Sequence, residues 1–135
     1  MSNILIIEDE QAIARLVDYN LSAIGHQVLT GHTGEEGLGL TTVSSPDLVL
    51  PGLKMPGVSG WEVLHALRAS REMHDVPAIL MTASPGVGSW QEITDRGAQD
   101  RLNKPFGIED LIEKVQGALG QRGAANAPTQ DSDRG

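Results

Sequence analysis

The sequence predicts an α/β protein: one doubly wound parallel sheet of five strands with helices on both faces. Three observations predict it. Short apolar runs alternate with amphipathic segments along the chain. The apolar runs are continuous rather than alternating, as in strands buried on both faces. Polar and charged residues follow directly behind those runs, at the strand ends where open α/β sheets bind ligands.

"NILII" (Asn3 to Ile7) is the first such run, with Glu8 and Asp9 behind it. "QAIARLVDYNLSAIG" carries Ile13, Leu16, Val17, Leu21 and Ile24 at helical spacing, and Gly25 as a stop signal. "HQVLT" reads as a second, weaker strand. "TGEEGLGLTTVSS" is a poor helix former, because Gly34, Gly37 and Gly39 each cost about 1 kcal/mol relative to Ala. "DLVL" is the third strand, and the Pro51 behind it predicts that the strand ends or breaks at Leu50, with the loop to Pro56 rearranged.

Ser59 is the expected N-cap of a helix over "VSGWEVLHALRAS", with Val63, Leu64 and Leu67 facing inward. "PAILMT" is the fourth strand, opened by Pro77. "PGVGSWQEITDRG" takes a helix by position but is weak by propensity, and its Gly86 and Gly88 predict a mobile start. "DRLNK" is a short fifth strand. "GIEDLIEKVQGALG" shows one apolar stripe of Ile108, Leu111, Ile112, Val115 and Leu119. The expected domain is therefore residues 1–121. Residues 122–135 have almost no apolar content and are expected to be a disordered tail or linker stub, on a chain that is either free-standing or a fragment.

Composition narrows the function. At 135 residues, 39% of them hydrophobic, the chain can bury one real core, and with 3% aromatics that core must be aliphatic. There are no cysteines, which removes disulfides, thiolate metal sites and thiol nucleophiles. The net charge of -8 argues against a nucleic-acid surface, which needs clustered Lys and Arg. Neither a signal peptide nor a membrane span is evident, so a cytoplasmic location is expected and no membrane partner. His26, His32, His65 and His74 lack metal-ligand spacing.

The candidate site residues stand at the strand ends: Glu8 and Asp9, Pro51 and Gly52 with Lys54 nearby, Thr82, and Lys104 with Pro105. Singly, each has a plain structural explanation. An acid pair favours a helix N-terminus, and Pro-Gly is a common turn. Together and in register, "IIEDE", "PDLVL" with "LKMPGVSG", "ILMTA" and "GAQDRLNKPF" resemble the receiver domain of two-component response regulators, from Asn3 to about Gln121.

That resemblance implies a flavodoxin-like sheet in the order 2-1-3-4-5. It also implies phosphoryl transfer from a histidine kinase to an aspartate ending the third strand. Glu8 and Asp9 match the family's Mg²⁺-binding acids, Thr82 its switch hydroxyl, and Lys104 with Pro105 its lysine and cis peptide bond. The phosphorylated aspartate falls on Gly52, which has no side chain to react, and the aromatic switch position falls on Arg101.

The expected function is therefore an atypical, non-enzymatic receiver module, with Mg²⁺ binding weak or absent and Lys104 paired directly with Asp9. Partners would be a histidine kinase or an output protein. A dimer could form through the fourth helix, fifth strand and fifth helix. The alternatives are a phosphoacceptor at Asp9, Ser59 or Thr82, or a small ligand filling the gap over Gly52.

Overall fold

The computed structural model describes residues 2–83 and 90–126. Strands and helices alternate throughout: β1 (Asn3–Ile7), α1 (Gln11–Ala23), β2 (Gln27–Gly31), α2 (Gly34–Ser44), β3 (Leu48–Pro51), α3 (Gly60–Ala69), β4 (Ile79–Thr82), α4 (Trp90–Asp95), β5 (Asp100–Asn103) and α5 (Ile108–Asn126). All strand pairs are parallel, as helix crossovers require. Gly86 and Gly88 lie outside the described residues.

The strands form two ladders, β2-β1-β3 and β4-β5, joined by isolated bridges at Val49–Ala78 and Gly52–Met81. Pro51 explains the division. Val49 donates its N–H to Pro77 O and Leu53 donates to Met81 O, each at the spacing of a parallel ladder. The rung between them would need an N–H at position 51 aimed at Ile79 O, and proline has none. Contrary to expectation, the strand itself does not end at Leu50. Pro51 stays in register opposite Ile7, and Gly52 N–H continues the β1 ladder to Ile7 O at 2.7 Å. Only the β4 side lacks a donor, so proline costs a rung there without bending the strand away.

Alternate residues of the strands supply two faces. Ile4, Ile6, Leu48, Leu50, Ile79, Met81 and Leu102 pack with Val17 and Leu21 of α1 and Leu111, Val115 and Ala118 of α5. Leu5, Ile7 and Val49 pack with Val63 and Leu67 of α3, and Ala78 and Leu80 with Leu64, Ile93 and Ala98. Each fully buried aliphatic side chain contributes about 1.5–3 kcal/mol, so this layer carries the domain without aromatic help. The α1 stripe is narrower than its spacing suggests: Leu16 and Ile24 are 39% and 42% exposed.

Helix α2 forms despite its glycines, and packing explains why. A Cβ at Gly37 would collide with Ile7, and one at Gly34 would come within 2.7 Å of Val58. The residues that weaken the helix in isolation let it lie close on the sheet, and tertiary contact outweighs propensity. Thr33 caps its start by accepting from Glu36 N–H. Ser59 caps α3 in a reciprocal capping box with Glu62, as the sequence indicates. The α5 backbone runs on to Asn126, into the segment whose composition marks it as tail; Ala124 and Ala125 are strong helix formers.

Arg68 clamps the C-terminal part of the fold. Its guanidinium donates to Gly97 O (3.0 and 2.7 Å), Met73 O (3.2 Å), His74 O (3.0 Å) and Gln99 Oε1 (3.3 Å). It thereby ties α3 to the turn before β5. Replacing Arg68→Met keeps the apolar stem and strands these carbonyls. Urea unfolding should show a loss of about 2–3 kcal/mol; a loss below about 0.5 kcal/mol would mean that water replaces the guanidinium.

Candidate functional site

The fold brings the strand-end residues to one edge. Backbone hydrogen bonds there run Glu8 N–H to Gly31 O (2.9 Å), Gly52 N–H to Ile7 O, and Lys104 N–H to Thr82 O (2.7 Å). Glu8, Gly52, Thr82 and Lys104 are thus fixed relative to one another by main chain. The Lys104–Pro105 peptide bond is cis, as the resemblance implies.

Glu8 is the centre of the site. It is fully buried, the only buried carboxylate among the described residues. Its Oε1 accepts from Lys104 Nζ at 2.9 Å and its Oε2 accepts from Glu10 N–H at 3.1 Å. Lys104 Nζ also reaches Glu10 Oε1 at 3.1 Å. The expected partner of Lys104 was Asp9. Asp9 is exposed instead, and the lysine is held by Glu8 and Glu10.

The bend after β1 accounts for this correction. β1 ends at Ile7 and the chain bends at Asp9, so the Glu10 N–H folds back onto Glu8 Oε2. The two glutamates thus converge on Lys104 while Asp9 stays exposed. Glu10, which the sequence reading passed over, is also the N-cap of α1, and its side chain makes no cap hydrogen bond to that helix. The signal that could have found it is the triplet of acids itself, "EDE".

Gly52 lies against Glu8. A Cβ built at Gly52 would sit 2.6 Å from Glu8 Oε1 and 3.4 Å from Ile7 O. The space beside the end of β3 therefore holds the Glu8 carboxylate. Thr82 is buried at 2% exposure at the end of β4. Arg101 is half-buried on β5 opposite Leu80, one rung pair short of Thr82, and its carbonyl accepts from Lys114 Nζ at 2.6 Å. Lys54 is exposed in the loop after β3, outside the Glu8–Lys104 cluster. The four histidines do not converge on this edge. His26, for instance, sits between Ser2 N–H (3.3 Å) and Gln116 Oε1 (3.1 Å).

The model of the response regulator receiver domain matches residues 4–116 of this sequence. The chain belongs to the response regulator receiver domain family. It is 40% identical over 121 residues to an uncharacterized transcriptional regulatory protein, YkoG, of Bacillus subtilis, covering 90% of this chain and 52% of that one. It is 36% identical over 128 residues to the KDP operon transcriptional regulatory protein KdpE of Escherichia coli, covering 95% and 56%. The chain thus spans about half the length of the curated relatives it matches.

Among solved structures, this receiver domain is similar to chemotaxis protein CheY4 of Vibrio cholerae (TM-score 0.82, 27% identity, 87% of this chain and 98% of that one). It is also similar to a CheY-like receiver domain protein of Methanospirillum hungatei (TM-score 0.83, 26% identity, 93% and 99%). No described helix is long and apolar enough to cross a membrane.

The electrostatics of the receiver pocket follow from burial. Desolvation pushes the Glu8 carboxyl above its ordinary 4.5, and Lys104 with the Glu10 N–H offsets only part of that. For Lys104, burial pulls the ammonium down, but the hydrogen bonds and charges of Glu8 and Glu10 outweigh it and hold the lysine above 10.5. Both shifts are upward but from opposite causes. Burial outweighs the ion pair at Glu8, whose side chain is fully covered. The ion pairs outweigh burial at Lys104, whose side chain keeps 12% of its surface.

A raised carboxyl binds its proton more tightly folded than unfolded. Its stabilising contribution is therefore full below pH 4.5 and is lost as pH rises through the folded value. The raised ammonium contributes fully below 10.5 and is lost as pH rises through its own folded value. Carbon-13 NMR of the Glu8 side-chain carboxyl should give a titration midpoint above 4.5. A midpoint at or below that value would mean that Lys104 outweighs burial.

Proposed function

We propose that this chain is a receiver module of two-component signal transduction that works without phosphorylation at the end of its third strand, through protein contacts. One observation carries the reading. The position that the resemblance matches to the family's acceptor aspartate is Gly52, and the space beside Gly52 holds the buried Glu8 carboxylate. A phosphoryl group arriving there would meet an anion already bound to the lysine that should receive it.

The sheet supports the receiver order 2-1-3-4-5, read as one layer, through the bridges on either side of Pro51. Non-enzymatic action follows from the missing nucleophile. Output or dimerisation is assigned to the face of α4, β5 and α5, by likeness to the family. The acidic net charge argues that this module itself does not hold nucleic acid. One relative of similar span, RpaA of Synechocystis, is a DNA-binding regulator of which this chain covers 49%.

The other acceptors fit less well. Ser59 is committed to capping α3, Thr82 is buried, and Asp9 is exposed and unpaired with Lys104. A small ligand over Gly52 would have to displace Glu8 from a buried ion pair.

Intact mass after incubation with acetyl phosphate and Mg²⁺, and then with a panel of histidine kinases, should be unchanged. A single adduct, mapped to one residue and lost on its substitution, would overturn the reading. Gly52→Asp should gain an adduct, because it restores a carboxylate at this position and its Cβ, 2.6 Å from Glu8 Oε1, would push that carboxylate out of the space. The new carboxylate oxygen would bond to phosphorus as acetate leaves. A variant that stays unmodified would mean that more than residue 52 blocks the reaction.

A further inference from the structure

The receiver family implies a Mg²⁺ ion at the acids after β1, and the residues of this chain do not fit one. Magnesium needs near-octahedral oxygen ligands at close range, supplied by carboxylates that are free to turn toward it. Both oxygens of Glu8 are engaged, Oε1 by Lys104 Nζ at 2.9 Å and Oε2 by the Glu10 N–H at 3.1 Å. Glu10 Oε1 is turned onto the same Nζ at 3.1 Å. Gly52 brings no carboxylate, and Asp9 is the one acid of the triplet outside the ion pairs of Lys104.

We infer that Lys104 is itself the resident cation of this pocket, and that the Glu8–Lys104–Glu10 cluster is a metal-independent clasp joining β1, the start of α1 and the end of β5. The ammonium satisfies the two carboxylates that a metal would otherwise have to balance. It is covalently fixed, so no metal concentration governs it. The clasp also explains why Glu10, an N-cap by position, leaves its helix uncapped by its side chain. Its carboxylate is already used on Lys104. A pocket that elsewhere responds to metal and phosphoryl group would here hold the strand ends in one arrangement.

This inference rests on the reading of Gly52 as a vacated acceptor, but it fails separately. Magnesium titration of the full chain without any phosphodonor tests it alone, whereas an adduct from acetyl phosphate tests the earlier reading. Backbone amide resonances of residues 8–10 should not move as Mg²⁺ is raised through the millimolar range, and Tm should not rise. In Lys104→Met, the carboxylates of Glu8 and Glu10 are left without their cation, and millimolar Mg²⁺ should now raise Tm and shift those resonances.

Saturable shifts in the unsubstituted protein would overturn the inference. A folded Lys104→Met that ignores Mg²⁺ would do so too, because Lys104 would then not be what keeps the metal out. Should that variant fail to fold, the titration of the unsubstituted protein decides the question by itself. Glu10→Gln, altered at an exposed side chain, supplies a second variant: it removes one arm of the clasp and should still show no Mg²⁺ response, whereas a gained response would contradict a clasp centred on Glu8 and Lys104.

Discussion

A buried carboxylate must find a cation, and in this receiver domain the one it finds is Lys104. Removing Glu8 from water costs several kcal/mol even after relaxation. At an effective dielectric of about 20, a unit pair 2.9 Å apart attracts by roughly 5–6 kcal/mol, so cost and gain nearly cancel. The pair therefore adds little net stability but strongly penalises any arrangement that separates its members. Because Glu8 follows β1 and Lys104 follows β5, that penalty falls on any motion of one strand end relative to the other.

The adjacent dipeptide Pro51–Gly52 acts on the same edge by two independent subtractions. Proline removes a rung between β3 and β4, which leaves the two ladders joined only by bridges at Val49–Ala78 and Gly52–Met81. Glycine removes the side chain that would otherwise contest the Glu8 position. One change loosens the main-chain connection at the middle of the sheet, and the other permits a side-chain connection across it. Arg68 supplies a further tie from α3 to the turn before β5, through carbonyls rather than carboxylates.

Much of the fold was legible because burial writes itself into sequence. Continuous aliphatic runs marked β1, β3 and β4, and Ser59 marked the start of α3. Helix α2 was harder to read: propensity counts what a glycine costs alone, not what Gly37 gains by letting the helix approach Ile7. Pro51 was read correctly as a lost hydrogen bond but wrongly as a strand end, because sequence does not say which of two neighbouring strands loses the donor.

At the site, residue types and their order named Glu8, Gly52, Thr82 and Lys104. The partners of Lys104 are Glu8 and Glu10 rather than Asp9, because the bend just after β1 turns Glu10 back toward Glu8, and residue types alone do not show that bend. Arg68 went unnoticed because its hydrogen-bond partners are chiefly backbone carbonyls, which leave no residue type for a motif to display.

The central claim is that Glu8 and Lys104 interact directly in a buried site, and a double-mutant cycle measures that interaction most directly. Unfolding free energies would be compared for the unsubstituted protein, Glu8→Gln, Lys104→Met and the double variant at neutral pH. A coupling energy of about 2 kcal/mol or more is predicted, with the double variant less destabilised than the sum of the singles. Additive single effects, with coupling below about 0.5 kcal/mol, would contradict the account.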